Sequence, residues 1–337
     1  MKAIGYQQSL PVEDAKSLID FELPDPTPGP RDLLVEVRAI SVNPVDTKIR
    51  MRVQPEAGQH QVLGWDVAGV VRAVGNEVTL FQPGDEVFYA GALDRPGANS
   101  ELHLVDERIV GRKPASLDFA AAAALPLTSI TAWELLFERL QIREGKDDRD
   151  QRLLIVGAAG GVGSILTQLS RQLTGLQVMG TASRRETQDW VRQLGAHEVI
   201  DHSQPLAAEL QRVGIADITH VASLTHTDLH LPQIVEALQP QGRLALIDDP
   251  ASLDISLLKR KSLSLHWEFM YTRSLYQTPD MIAQHQLLNR VAELIDSGVL
   301  KTTLGEHYGT INAANLRRAH AFIESGKAKG KIVLEGF

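Results

Sequence analysis

The segment Leu153–Ser164 (LLIVGAAGGVGS) limits the possible fold more than any other part of the chain. An apolar run enters a glycine-dense turn, and a helix opens at about Val162 and runs to Leu173, closed by Gly175. A second apolar strand, Gln177–Ala182, follows about twenty residues after the turn. Glycines let the backbone approach a pyrophosphate, and the helix start offers unpaired N–H groups and the positive end of its dipole. The spacing is G-x-x-G-x-x-G, which a ligand-free β–α turn also shows. Strand, turn, helix and second strand in that order are what a dinucleotide cradle requires. Gly157, Ala158, Gly160, Gly161, Val162 and Gly163 are therefore the candidate backbone contacts.

The rest of the chain divides around this motif. The first 125 or so residues read as short strands punctuated by proline and glycine: Asp32–Ala39, Val67–Val74 and Val87–Ala90. Ser116 is the expected N-cap of an alanine-rich helix ending at Pro126, and a second helix spans about Ile130–Leu140. Arg143–Arg152 is almost wholly charged and reads as a solvated loop. Apolar strands then alternate with helices, near Leu153–Val156, Gln177–Gly180, His197–Ile200, Ile218–Ala222 and Arg243–Ile247. That alternation implies a parallel sheet covered on both faces. Beyond Tyr276 a helix is expected with Thr278 as N-cap and Pro279 at its first position. A last helix, about Ala313–Ser325, precedes a strand at Lys331–Leu334.

A length of 337 residues favours two domains. The net charge of −8 argues against a broad nucleic-acid footprint. No apolar run approaches a membrane-spanning length, and Met1–Tyr6 reads as a short strand, not a signal segment. The absence of cysteine excludes disulfides, thiolate zinc sites, iron–sulfur clusters and cysteine nucleophiles, and fits a cytoplasmic enzyme.

Seven motifs in order now resemble the medium-chain dehydrogenase/reductase superfamily along nearly the whole chain, in its zinc-lacking quinone-oxidoreductase-like branch. They are Ser41–Asp46, Leu63–Gly69, Pro83–Val87, Ala124–Thr128 through Ala132-Trp133, Gly157–Gly163, Leu194–Ala196 and Gly330–Leu334. The resemblance implies an α/β protein of two domains. Residues 1–125 and 266–337 would form a discontinuous catalytic domain around a GroES-like β-barrel, and residues 126–265 a Rossmann doubly wound parallel sheet for the coenzyme. It also implies an active site in the cleft between them and a homodimer through edge strands of the coenzyme domains.

In zinc-dependent relatives a cysteine, a histidine and a second cysteine bind the catalytic metal. The corresponding positions hold Asn43, Trp65 and Leu127, none a good zinc ligand, so no zinc is expected. His226 and His230, four apart, read as an exposed polar loop in preference to a metal pair. The second strand ends Gly180-Thr181-Ala182-Ser183-Arg184-Arg185, with no acid for the ribose hydroxyls before Glu186. Ser183, Arg184 and Arg185 suit a 2′-phosphate, which makes NADPH the expected coenzyme, though both arginines could face solvent. The resemblance adds His202, where relatives often carry a tyrosine near that phosphate, and places Thr187 where they often carry a lysine.

For the chemistry, Asn43 either donates to the substrate oxygen as hydride arrives or bonds its own backbone before Pro44. The resemblance gives Asp46 an orienting role. Tyr89 and Thr128 either offer hydroxyls to substrate or nicotinamide or, for Tyr89, fill the barrel core. Trp65 would wall the substrate pocket, fill the core or do both, with Leu127 beside it, and Trp267 and Phe269, where the chain leaves the coenzyme domain, read either as a further substrate wall or as a dimer or core contact. The sequence supplies no evident general acid, so water would deliver the proton. The expected function is an NADPH-dependent, zinc-independent reductase of quinones or α,β-unsaturated carbonyls. The alternatives are an aldehyde or ketone reductase, or a non-enzymatic NADPH-binding sensor or RNA-binding protein.

Overall fold

The computed structural model describes every residue of the chain except Lys146 and Asp148. Two members of the charged stretch 143–152 thus lie outside the described residues.

The first strands are β1 (Lys2–Tyr6), β2 (Ile19–Glu22) and β3 (Asp32–Val42), followed by helix α1 (Pro44–Arg52). Next come β4 (Gln61–Val62), β5 (Val67–Val74), β6 (Glu86–Tyr89), β7 (Leu102–Asp106) and β8 (Val110–Arg112). Helix α2 (Phe119–Ala123) leads to α3 (Pro126–Trp133), which continues as a π-helical turn over Glu134–Arg139. An α/β alternation follows: β9 (Arg152–Val156), α4 (Gly161–Leu173), β10 (Gln177–Thr181), α5 (Arg185–Gln193) and β11 (Glu198–Ile200). It continues through α6 (Leu206–Arg212), β12 (Ile218–Ser223), α7 (Thr227–Ala237), β13 (Leu238–Leu246), α8 (Ser256–Lys259) and β14 (Ser264–Trp267). The chain ends with α9 (Thr272–Leu275), α10 (Ala283–Asp296), β15 (Leu304–His307), α11 (Ala313–Glu324) and β16 (Lys331–Glu335).

Two compact units result, residues 1–130 with 271–337, and residues 131–270. Both crossings fall five residues beyond the positions the motifs suggest. The Leu127 N–H is hydrogen-bonded to Asp66, which keeps the start of α3 with the first unit. The Glu268 N–H bonds to Leu246 O, which keeps the chain with the second unit past β14.

The first unit is GroES-like. Its main sheet runs β15-β16-β3-β5-β6-β8 with β7 also on β3, and a small sheet runs β2-β1-β4. In β3 the residues Leu33, Val35 and Val37 alternate inward, as a period of two dictates. Strand β16 closes on β3 in antiparallel register, Ile332 opposite Val42. That pairing joins the two ends of the sequence and sets Lys331 beside Asn43.

The second unit is a six-stranded, wholly parallel sheet of order β11-β10-β9-β12-β13-β14. The order reverses between β9 and β12, the place where such sheets bind ligands at their carboxyl ends. Leu154, Val156, Met179, Ile200, Val221 and Leu244 are buried in its core, each stabilising the fold by roughly 1.5–3 kcal/mol.

Three local expectations are corrected. Ser116 does not cap a helix, because its N–H and hydroxyl are bonded to Asp296. Asp118 caps α2 in its place through the Ala121 N–H. Thr278 does not open α10, which starts at Ala283; the Arg273 side chain grips Asp280 and holds the intervening residues in turns. Finally, Phe119–Arg139 is long and apolar enough by composition to span a membrane, unlike the expectation that no run approaches that length. It breaks between α2 and α3, and most of it is buried within the folded chain.

Candidate functional site

In the second unit, β9 delivers the chain to Gly157, whose φ of +83° is one that only glycine adopts freely. A Cβ there would also stand 3.0 Å from the Thr225 methyl. The turn is held from β10, where Thr181 O accepts the Ala158 N–H at 3.2 Å and Thr181 Oγ1 accepts the Gly157 N–H at 3.0 Å. Gly163 is required by packing, since a Cβ would come within 2.6 Å of Ala158 Cα and O and of Gly157 O. At Gly160 a Cβ would meet only Gly157 O, at 3.6 Å. The packing of the fold therefore does not demand that glycine. Gly160 is the N-cap of α4 and supplies no side-chain cap. The N–H groups of Gly161, Val162 and Gly163 therefore lie in the first turn without intrahelical partners. A neutral backbone cradle of this kind fits a diphosphate.

The second-strand residues flank the cradle. Ser183 and Arg184 are partly or fully exposed past the end of β10, and Arg185 begins α5. Arg184 pairs with Glu186 at 3.0 Å. The Thr187 hydroxyl is turned back to Arg184 O. His202 stands beside them, its Nδ1 2.9 Å from Thr181 Oγ1. Trp267 and Phe269, at and beyond the end of edge strand β14, are 51% and 48% exposed.

The first unit holds a buried polar knot. Asn43 caps α1 and Asp46 sits in its first turn, where the carboxylate accepts the Asn43 N–H at 2.7 Å and the Gly64 N–H at 2.9 Å. Asp66 accepts from the Leu127 N–H at 2.7 Å and from Asn43 Nδ2 at 2.8 Å, and pairs with Lys331 Nζ at 3.0 Å. Lys331 also donates to Val42 O and to Asn43 Oδ1. The charges fix the amide, nitrogen toward carboxylate and oxygen toward ammonium. All four of these side chains are buried. Burial pushes the Asp46 carboxyl up to about 7, against the two backbone N–H bonds and the Lys331 charge that pull it down. Burial raises Asp66 as well, opposed by Lys331 and the Leu127 N–H. Tyr271 is buried close enough that both carboxylates, after burial itself, push its phenol further up.

The structure thus brings Asn43, Asp46, Trp65 and Leu127 together around Asp66. The Trp65 indole N–H donates to Ala92 O at 3.2 Å, and the Thr128 hydroxyl bonds to Leu125 O. Tyr89 stands apart from the knot, fully buried, its hydroxyl 2.9 Å from His103 Nδ1. The His103 Nε2 is 3.0 Å from Pro96 O, and burial holds that ring at about 4, hence neutral. Asp66 and Lys331 lie inside family motifs, but nothing local signals their partnership, which depends on the β3–β16 register. Among the described residues, no group of three or more His, Cys, Asp or Glu side chains converges as a metal site.

Comparison with known proteins agrees with this architecture. Residues 29–114 match the alcohol dehydrogenase GroES-like domain, and residues 194–334 match the zinc-binding dehydrogenase domain. A zinc-type alcohol dehydrogenase-like protein of Staphylococcus aureus is 38% identical over 336 residues, covering 99% of each chain. The crystal structure of a candidate zinc-dependent alcohol dehydrogenase from Rhizobium etli superposes with a TM-score of 0.96 at 57% identity, covering 100% of this chain and 98% of that one. The Escherichia coli quinone oxidoreductase complexed with NADPH superposes with a TM-score of 0.84 at 26% identity, covering 99% and 100%.

Proposed function

The chain belongs to the medium-chain dehydrogenase/reductase superfamily and is an NAD(P)H-dependent oxidoreductase, and on that premise we propose that it reduces quinones or α,β-unsaturated carbonyls with NADPH, without a catalytic metal. The observation that carries the proposal is the donor set at the three positions where zinc-dependent relatives bind the ion. The Asn43 amide is engaged by Asp66 and Lys331, the Trp65 indole by Ala92 O, and the Leu127 side chain is a hydrocarbon. No thiolate or imidazole is available there, so the residues present do not fit zinc.

The Gly157–Gly163 backbone would hold the diphosphate, and Ser183, Arg184, Arg185 and His202 the 2′-phosphate. The coenzyme supplies the hydride; the protein positions and polarises. Asn43, with both ends of its amide occupied, acts as a positioning residue that fixes the wall formed by Trp65 and Leu127. The carboxyl of Asp46 and the phenol of Tyr89 are sealed from solvent, so solvent water protonates the product. Quinones and enones need less carbonyl activation than simple aldehydes, which suits a site without a Lewis acid. The exposed Trp267 and Phe269 at the β14 edge fit a homodimer contact.

A steady-state panel on chelator-treated protein tests the proposal. NADPH oxidation should proceed with a quinone or an enone and be far slower with a saturated aldehyde. Turnover restored only by added zinc would refute it.

A further inference from the structure

Three histidines gather beside the cradle, and the proposed reaction does not use their chemistry. We infer that His202 and His230, packed beside His226, select a coenzyme bearing a 2′-phosphate by taking up a proton when it binds. This rests on the NADP(H) reading and extends it to a device for selection.

The geometry comes from both sides of the sheet's switch point. Strands β10 and β11 pair in parallel with Thr181 opposite Ile200, so residues 182–184 and 201–202 emerge side by side at the carboxyl edge. The Thr181 hydroxyl accepts from Gly157 N–H and meets His202 Nδ1 at 2.9 Å, which ties that ring to the first glycine of the cradle. On the other side Thr225 places its methyl where a Cβ on Gly157 would touch it, and its hydroxyl lies 2.7 Å from His226 Nδ1. His226 is the N-cap of α7 with φ of +49°, a left-handed conformation. His230, one turn along α7, meets the His202 ring edge-on with centroids 6.1 Å apart. Its Nδ1 is buried with no hydrogen-bond partner among the described residues.

Charged groups from four neighbouring segments surround the rings. From the β11–α6 connection come Asp201 and Glu209, the latter bonded to the Asp201 N–H and to Arg212. From α7 comes Asp228, and past β13 comes Asp248, which is engaged by the Thr227 N–H and hydroxyl. Arg184, paired with Glu186, and Arg185 stand at the β10–α5 turn. Burial comes first in holding His202 and His230 below the ordinary imidazole value, and repulsion from the neighbouring histidines adds to it. In the free protein near pH 7 both rings are therefore neutral. A 2′-phosphate carries a charge of about −1.5 to −2 at that pH and would stabilise an imidazolium. The proton comes from solvent. NADH, which has hydroxyls at that position, would bind without it.

Calorimetry on the whole chain tests this, with NADPH and NADH titrated near pH 7 in two non-phosphate buffers of different ionisation enthalpy. NADPH should bind with net proton uptake and NADH without. The NADPH dissociation constant should rise up to about tenfold per pH unit above neutrality, while that of NADH stays flat. The uptake should shrink in His202→Gln and, at a second and only partly buried position, in His230→Gln. NADPH binding with no more uptake than NADH would overturn the inference and leave the NADP(H) reading standing. Equal weakening of both coenzymes by His202→Gln would overturn it too, because the ring would then serve only as an adenine wall. NADH bound in preference to NADPH would overturn both.

Discussion

The glycine cradle of the second unit and the polar knot of the first use hydrogen bonds in opposite ways. In the cradle the backbone donors at the start of α4 have no side-chain cap, and what holds the turn comes from behind, through Thr181. In the knot Asn43, Asp46, Asp66 and Lys331 turn their polar atoms toward one another or toward neighbouring backbone. The cradle keeps donors available for a ligand. The knot consumes its donors internally. A cluster of conspicuous polar residues is thus not by itself a reacting site; what matters is whether its atoms already have partners.

The comparison breaks most visibly at Lys331. Removing the ammonium in Lys331→Met strands the Asp66 carboxylate in a dry interior and should cost about 3–5 kcal/mol of stability by urea unfolding. The double variant Lys331→Met/Asp66→Leu should recover much of that loss; no recovery would mean the pair does not act as a unit. The cradle should behave differently. Gly160→Val adds a side chain that the fold leaves room for and should weaken coenzyme binding tenfold or more, about 1.4 kcal/mol. That loss, read from coenzyme titration, should come with the polar knot and the protein's circular dichroism unchanged.

A smaller effect is expected at the rim. Arg184 is partly exposed and already paired with Glu186, so Arg184→Ala should weaken NADPH by about fivefold to tenfold and leave NADH within twofold. Equal losses for the two coenzymes would remove Arg184 from phosphate recognition.

The most gradual effect is a pH slope. The folded Asp46 carboxyl is raised to about 7, above its unfolded value of about 3.9. A raised carboxyl contributes stability that is fully present below the unfolded value and is lost as pH rises through the folded one. Between about pH 4 and 7 the wild type should therefore lose up to about 1 kcal/mol per pH unit relative to Asp46→Asn. Parallel stability curves for the two proteins would show Asp46 ionised throughout.

The same contrast explains what the sequence reveals. The cradle is legible because a phosphate-binding turn is local: Gly157 to Gly163 with a strand on each side lie within about thirty residues. The barrel strands of the first unit and the parallel order of the second are legible for the same reason, through period-two and continuous apolar patterns. The knot is not, because Asn43 and Lys331 are 288 positions apart and meet only through the β3–β16 register. Read alone, Asn43 offers an amide to a substrate; in the fold, Asp66 and Lys331 have already taken both ends of it. Tyr89 shows the same reversal, since His103 claims its hydroxyl. The Ser116 helix start misleads because a side chain 180 positions away, Asp296, takes its hydroxyl, and the Thr278 start because Arg273 grips Asp280 and holds the turn.

Dissociation constants for the two reduced coenzymes, measured on the intact protein by coenzyme fluorescence, probe the role of the cradle most directly. Binding of NADPH at least tenfold tighter than NADH, with both abolished or severely weakened by a side chain at Gly160, is the expected result. Failure to bind either coenzyme, or a preference for NADH, would contradict it.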